Sequence, residues 1–392
     1  MKILTNIRFA QTAGIAQTLI SFLDFVKKNK KGVLEIVGVN ILDGANTSYG
    51  KSQNGNILII SATARVPHIK DVVERANNIK DIRKSYQHVV DIYRKAIRNE
   101  NPDVVLINGT YYMPWCLYLA AKEEKIPIVL HYHGVLTLET QNWPVKERKL
   151  FTEMEKSMDS EDAFYIFPSK ITKKIVEGKI YGRKIKNSAV IPNPVPLHFF
   201  KNNKKNNNKV NIGIVSRWTG IKNVDFCKAF AKYNKDNGSK FVINLVSDLK
   251  KEDVRYKELS EIIKIHPAVE NKKLPGFYRK MGVVISPSHF ETYGNVSKEA
   301  LASGVPAIVS NNMGVAETYR KLGLNKWVIN FGSVKSVYKK IKNIIGSRVE
   351  EDIREKLKND YSSCRIFDKL VNTLEFVHQR SSVYSKPGPI TD

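Results

Sequence analysis

Two carboxylates eight residues apart, Glu291 and Glu299, sit in the stretch SPSHFETYGNVSKEALASGVP, residues 286–306. The apolar run from Gly282 to Ile285 ahead of it reads as a buried parallel strand. A polar turn follows, and then a short helix beginning near Asn295 and stopped by Gly304 and Pro306. Glu291 therefore falls in the loop at the carboxyl end of a strand, and Glu299 about one turn inside the helix. Between them, Tyr293, Gly294, Asn295 and Val296 supply backbone N–H groups at a helix N-terminus, a ready seat for a diphosphate. Gly294 lets the backbone approach a ligand closely. The acids can accept hydrogen bonds from sugar hydroxyls. Strand, acidic loop, phosphate-ready helix start and second acid together suit a nucleotide-sugar. The spacing of the two glutamates alone is common; the flanking Ser-Pro-Ser, Gly-Asn-Val, Glu-Ala and Gly-Val-Pro pieces make it specific.

A second cluster, Val215 to Asn223, also follows a strand and carries Arg217 and Lys222. A guanidinium fork and an ammonium point charge are what a diphosphate leaving group needs. Its departure builds negative charge, which fixed cations stabilise. In the first half, Phe9 to Ala16 joins a strand to a helix and contains Gly14, while Val129 to Gly134 ends a strand with His131, Tyr132 and His133.

These segments resemble the retaining glycosyltransferases of the GT-B fold, specifically glycosyltransferase family 4. The pair Glu291 and Glu299 matches the family's Glu-x7-Glu signature, and Arg217 and Lys222 match its Arg-x4-Lys motif, with Asn223 where a glycine commonly follows. The family's Gly-Gly pair after the first strand is reduced here to Ala13-Gly14. His133-Gly134 resembles its His-Gly pair near the reacting sugar. Asn193-Pro194 with Phe199 resembles an Asn-Gly…Phe hinge, and Gly314 and Glu317 fit a Gly…Glu pattern after the signature helix. The resemblance implies a nucleotide-sugar donor, UDP-linked, and transfer to an acceptor hydroxyl with retention. Arg217 and Lys222 would hold the diphosphate, Glu291 the donor sugar and Glu299 the ribose. Gly14, Tyr293, Gly294, Asn295 and Val296 would complete donor binding, with His133 beside the sugar. No metal or other cofactor is expected.

These residues need a frame to hold them. Strands are predicted over Lys2–Ile7, Leu34–Val39, Ile57–Ile60, Val104–Asn108, Ile128–Tyr132, Tyr165–Pro168 and Ala189–Ile191, with helical stretches such as Gln17–Asn29 and His68–Asn99 between them. A polar, lysine- and asparagine-rich run follows at 201–209. Alternation then restarts at Val210–Val215, Phe241–Val246, Gly282–Ile285 and Ala307–Ser310. The expected fold is α/β: two Rossmann-like doubly wound domains facing a central cleft, as GT-B implies, at 1–195 for the acceptor and 196–375 for the donor, with a tail at 376–392.

Composition bounds the rest. The 392 residues suffice for two domains. Three scattered cysteines point to reduced thiols. The start of the chain reads as a strand rather than a signal peptide, and no run is long enough to span a bilayer. A cytoplasmic protein, peripheral at the inner membrane face, is expected. The net charge of +26 favours an anionic partner. Residues 170–186 interleave seven cations with Ile171, Ile175, Ile180, Tyr181 and Ile185, a pattern that fits an anionic membrane surface. The expected acceptor is a glycan, a glycolipid or an acidic polymer. Two other readings share the core: a basic nucleic-acid-binding protein, disfavoured because no nucleic-acid module is recognisable, and a nucleotide-sugar epimerase of the same fold.

Overall fold

The computed structural model describes residues 1–7, 14–46, 48–201 and 209–384. The chain forms two compact units. Unit 1 gathers Met1–Pro168, Thr172–Ile191 and the residues from Ile366 onward; unit 2 gathers Ser169–Ile171 and Pro192–Arg365.

Unit 1 is built on strands β1 (Lys2–Ile7), β2 (Glu35–Asp43), β3 (Ser48–Asn54), β4 (Ile57–Ala64), β5 (Val104–Asn108), β6 (Ile128–His131), β7 (Phe164–Phe167) and β8 (Ser188–Val190). Their order among the described residues is β3-β4-β2-β1-β5-β6-β7-β8, parallel except for the antiparallel pair β3 and β4. The central strands are apolar runs such as Val-Val-Leu-Ile in β5, buried along their length, as a parallel sheet covered on both faces demands. The chain leaves β1 towards β2 and β4, then returns to place β5 on the other side of β1. The boundary between β1 and β5 is therefore the point where the winding reverses.

Unit 2 repeats the plan with β9 (Asn211–Val215), β10 (Val242–Ser247), β11 (Lys264–Pro267), β12 (Val283–Ser286), β13 (Ala307–Ser310) and β14 (Val328–Ile329). The described order β11-β10-β9-β12-β13-β14 is wholly parallel and reverses between β9 and β12. The two loops that leave this reversal, after Val215 and after Ser286, are those that carry Arg217, Lys222 and Glu291.

The doubly wound α/β fold is as expected, and four details differ. Strands β3, β11 and β14 were not anticipated: all seven residues of β3 are exposed, so it carries no alternating pattern, and β11 and β14 are runs of only four and two residues. Residues 68–99 form three helices, Ile69–Arg75, Ile79–Ser85 and Gln87–Glu100. The break falls at Asn78, whose side chain accepts from the N–H groups of Lys80 and Asp81 while the Asp81 carboxylate takes the N–H of Asn78, a capping box that starts a new helix. At the C-terminus, the segment read as domain and tail is one helix, Ser363–Tyr384. Its Ile366, Phe367, Leu370, Val371 and Leu374 are buried, and Phe367 packs on the rings of Phe22 and Phe25 at 5.4 and 5.6 Å. That apolar face draws the segment from Ile366 onward into unit 1.

The fourth difference concerns the basic segment. Ile180 and Ile185 are core residues, and the Tyr181 hydroxyl meets that of Tyr132 at 2.7 Å. Arg183 forks onto Asp159, and Lys173 donates to Ser188. Ile180 and Ile185 therefore serve the interior and are not available for insertion into lipid. Lys174, Lys179, Lys184 and Lys186 remain exposed. Among the described residues no helix is long and apolar enough to cross a membrane.

Candidate active site

The signature loop of unit 2 is held from two directions. Ser169 Oγ donates to the Thr292 carbonyl at 2.8 Å. Gly314 N–H donates to the Glu291 carbonyl at 3.0 Å, and Val315 N–H to that of Tyr293 at 2.7 Å. This clamp requires glycine at 314: a Cβ there would lie 2.2 Å from the Thr292 oxygen and 2.5 Å from Ser169 Oγ. Gly294 takes φ +104°, a conformation that side chains other than glycine's resist. It turns the chain into the helix Asn295–Ala302. The first-turn N–H groups of that helix have no partner within it. Glu317, read as part of the same motif, accepts from the N–H groups of Lys170 and Ile171 at 3.1 and 2.8 Å. Its role there is structural.

Lys222 and Glu291 come from different strand ends and meet. Lys222 Nζ lies 2.9 Å from Glu291 Oε1, with both side chains 21 % exposed. Ser288 Oγ donates to the same carboxylate oxygen at 2.6 Å. Asn223, which replaces the family's glycine, takes φ +58°. Its Nδ2 donates to the Pro287 carbonyl, which ties the loop of Lys222 to the loop of Glu291. Arg217 is exposed on the first of these loops.

Glu299 is buried. Tyr278 Oη donates to its Oε2 at 3.0 Å and Asn271 Nδ2 to its Oε1 at 3.3 Å. Burial raises its pKa, opposed in part by those two hydrogen bonds and by Lys298. Tyr293 is buried too, with its hydroxyl 2.6 Å from Thr318 Oγ1, so its backbone, not its ring, is what it can offer a ligand. Val296 is half-buried. Asn295 Oδ1 accepts from Asn193 Nδ2 at 3.0 Å.

His133 lies in unit 1, beyond the end of β6. Its Nε2 is 3.1 Å from Asn108 Oδ1, and Asn108 Nδ2 donates to Thr5 Oγ1 at 2.8 Å. The amide oxygen of Asn108 is thus the acceptor, and Nε2 of His133 carries the proton. Desolvation pushes the His133 pKa down to about 4, so the ring is neutral at pH 7. Thr5 and Asn108 come from β1 and β5, the reversal point of this sheet. His131 is the buried histidine of the pair, its ring tilted 43° against that of His133 with centroids 4.0 Å apart. The loop after His133 is anchored by Glu155, whose carboxylate accepts from Leu136 N–H and from Thr137 N–H and hydroxyl. Gly14 is the first residue of the helix Gly14–Asn29; Phe9 to Ala13, read with it, lie outside the described residues, as do residues 202–208 of the polar run.

Arg217, Lys222, Glu291, the 293–296 turn and Glu299 are therefore gathered in unit 2, and Gly14 and His133 belong to unit 1. Ser288, Asn271, Tyr278, Asn193 and Lys298 join the unit 2 group without having been singled out as site residues. Asn193 had been read only as a hinge and Ser288 only as part of the flanking Ser-Pro-Ser, and Asn271, Tyr278 and Lys298 carry no local signal.

Residues 197–361 match the family described as Glycosyl transferases group 1, and residues 61–199 match Glycosyltransferase Family 4. An uncharacterised 41.2 kDa protein of the cps region of Klebsiella pneumoniae is 25% identical over 209 residues, 51% of this chain and 56% of its own. A capsular polysaccharide biosynthesis glycosyltransferase of Staphylococcus aureus is 34% identical over 99 residues, 24% of this chain and 26% of its own. The matched stretches thus span about half and a quarter of those relatives. Among solved structures, sucrose-phosphate synthase from Thermosynechococcus elongatus superposes with a TM-score of 0.73 at 12% identity, over 97% of this chain and 100% of its own. A trehalose-6-phosphate structure from E. coli bound with UDP-2-fluoro glucose gives 0.67 at 12%, over 97% and 99%. Those structures bear on fold alone, and the fold is GT-B. With the two family matches running together from residue 61 to 361, the chain belongs to glycosyltransferase family 4, the glycosyl transferases group 1.

Proposed function

We propose that this chain transfers a sugar from a UDP-sugar to an acceptor hydroxyl, with retention at the anomeric carbon, in the assembly of a cell-surface glycan. The observation that carries the reading is the meeting of Lys222 and Glu291 at the reversal point of unit 2, beside the free N-terminus of the helix Asn295–Ala302. A cation for phosphate and a carboxylate for sugar hydroxyls, 2.9 Å apart, match the two halves of a sugar diphosphate. In this reading Arg217, Lys222 and the N–H groups of Gly294, Asn295 and Val296 bind the diphosphate. Glu291 orients the sugar and Glu299 binds the ribose. The acceptor oxygen forms its bond to the anomeric carbon as the bond to the β-phosphate oxygen breaks. The acceptor's proton passes to the departing phosphate. No carboxylate serves as a covalent nucleophile, and no resident metal forms part of the proposal.

The capsular polysaccharide role of the S. aureus relative supports the cell-surface assignment. The net charge of +26 and the exposed Lys174, Lys179, Lys184 and Lys186 favour an acidic acceptor. The test is a panel of nucleotide-sugars, read by thermal shift and slow donor hydrolysis, followed by Arg217→Ala and Lys222→Ala on the donor that binds. Each variant is expected to cut turnover by on the order of a hundredfold and to weaken UDP. Near-normal kinetics in both, with the fold intact, would overturn the assignment.

A further inference from the structure

Lys298 is an odd residue to find where it lies. It sits in the middle of the signature helix with no exposed surface. Burying an ammonium is costly unless it is paired. Glu299, next in sequence, is turned to Tyr278 and Asn271 instead. The ammonium donates to the carbonyl of Asn193 and lies over two tyrosine rings, 4.3 Å from the centroid of Tyr293 and 5.2 Å from that of Tyr361. These partners come from three segments that are themselves joined. Val195 N–H donates to the Tyr361 carbonyl at 2.8 Å, and Ser363 Oγ to the Val195 carbonyl at 3.4 Å. Asn193 Nδ2 closes the circuit by donating to Asn295 Oδ1 at 3.0 Å.

That last bond has a consequence for chemistry. An asparagine amide has one acceptor arm and one donor arm. With Oδ1 of Asn295 engaged by Asn193, the arm left over is Nδ2, a donor on the half-buried first residue of the helix. An apolar side chain at 298 would fill the same space. It would leave the Asn193 carbonyl unpartnered and Asn193 free to turn.

We propose that Lys298 is a positioning residue for the phosphate end of the donor site: it fixes Asn193, and Asn193 fixes Asn295 so that Nδ2 adds a side-chain donor to the first-turn N–H groups. The functional half of this proposal rests on the donor reading above; the linkage from Lys298 to Asn193 does not.

The experiment is a double-mutant cycle with two readouts. Lys298→Met and Asn295→Ala, singly and together, are tested for UDP affinity by calorimetry, and for exchange of the Val195 amide proton. Each single variant is expected to weaken UDP roughly three- to tenfold, the worth of about one hydrogen bond. The double variant should be no worse than the weaker single, because both break one circuit. Lys298→Met should speed Val195 exchange at least tenfold, and Asn295→Ala should not. Additive losses, or UDP affinity unchanged in Lys298→Met, overturn the proposal. Should Lys298→Met fail to fold, Asn193→Ala keeps the lysine, removes the link to Asn295 and takes its place in the cycle. If the wild type binds no nucleoside diphosphate, the donor reading falls, and Val195 exchange decides the linkage by itself: unaltered exchange overturns it.

Discussion

Glu291→Gln should bind UDP more tightly than the wild type while turning over its donor more slowly. In the free protein Lys222 is engaged by Glu291 at 2.9 Å, so an arriving diphosphate must draw the ammonium away from a carboxylate. At an effective dielectric constant of about 20 the gross attraction at that distance is about 6 kcal/mol. Most of it is offset by desolvation and by the ordering of a long side chain. Exposed pairs retain about 0–1 kcal/mol, whereas breaking a buried pair costs about 3–5 kcal/mol. With both side chains 21 % exposed, this pair lies between, at about 1–2 kcal/mol. Removing the carboxylate's charge should therefore tighten UDP by roughly five- to thirtyfold, since Lys222 is then free for phosphate. The sugar, however, loses a charged acceptor, so kcat/KM for the intact donor should fall. Isothermal calorimetry with UDP and initial rates with donor measure the two signs in one variant. Lys222→Met supplies the control: it should weaken UDP and abolish the gain from Glu291→Gln. Weaker UDP binding in Glu291→Gln, or the same gain in the Lys222→Met background, would refute the competition.

Glu299 has its pKa raised by burial, so the folded chain holds the proton more readily than the unfolded one. Its stabilising contribution is full below the ordinary carboxylate range and is lost as pH rises through the raised folded value. Glu299→Gln should flatten that dependence in thermal melts from pH 4 to 8, and at pH 8 melt no lower than the wild type, while weakening UDP binding; a lower melting temperature at pH 8 would contradict it. Gly314→Ala should destabilise by about 1–3 kcal/mol and depress turnover, because its methyl group meets the Thr292 carbonyl that holds the Glu291 loop; urea melts and rates measure both, and wild-type values would show that the clamp is not rigid.

Much of the frame was legible because it is local. Apolar runs such as Val104–Asn108 give strands, and their alternation with helical patterns gives parallel winding. Gly294 and Gly304 bracket the signature helix as backbone conformation requires, with φ of +104° and +81°. What stayed hidden depends on contacts across the chain. The isoleucines of 170–186 look amphipathic in isolation, and only the pairing of Tyr181 with Tyr132 shows which face is inside. The C-terminal helix has a plain apolar stripe, yet nothing in that stripe says which unit it covers. The Lys222–Glu291 pair spans 69 residues and exists because β12 lies beside β9. Lys298 gave no signal because a lysine in an eight-residue helix reads as solvent-facing.

The same groups explain why the sites are more than packing. Glu299 and Lys298 are adjacent buried ionisable residues, and desolvation opposes the charge of both. His133 in unit 1 is pushed towards neutrality in the same way. A chain optimised for stability alone would place apolar residues at 298 and 299, where the helix is buried on all sides. Instead each charge is held by named partners: Asn193 and two tyrosine rings for Lys298, Tyr278 and Asn271 for Glu299. Perturbed groups held this way at the reversal point of a doubly wound sheet fit the proposed donor site. The free energy withheld from the fold is the measure of that requirement, and for Glu299 the neutral glutamine should cost no stability at pH 8 while weakening nucleotide binding.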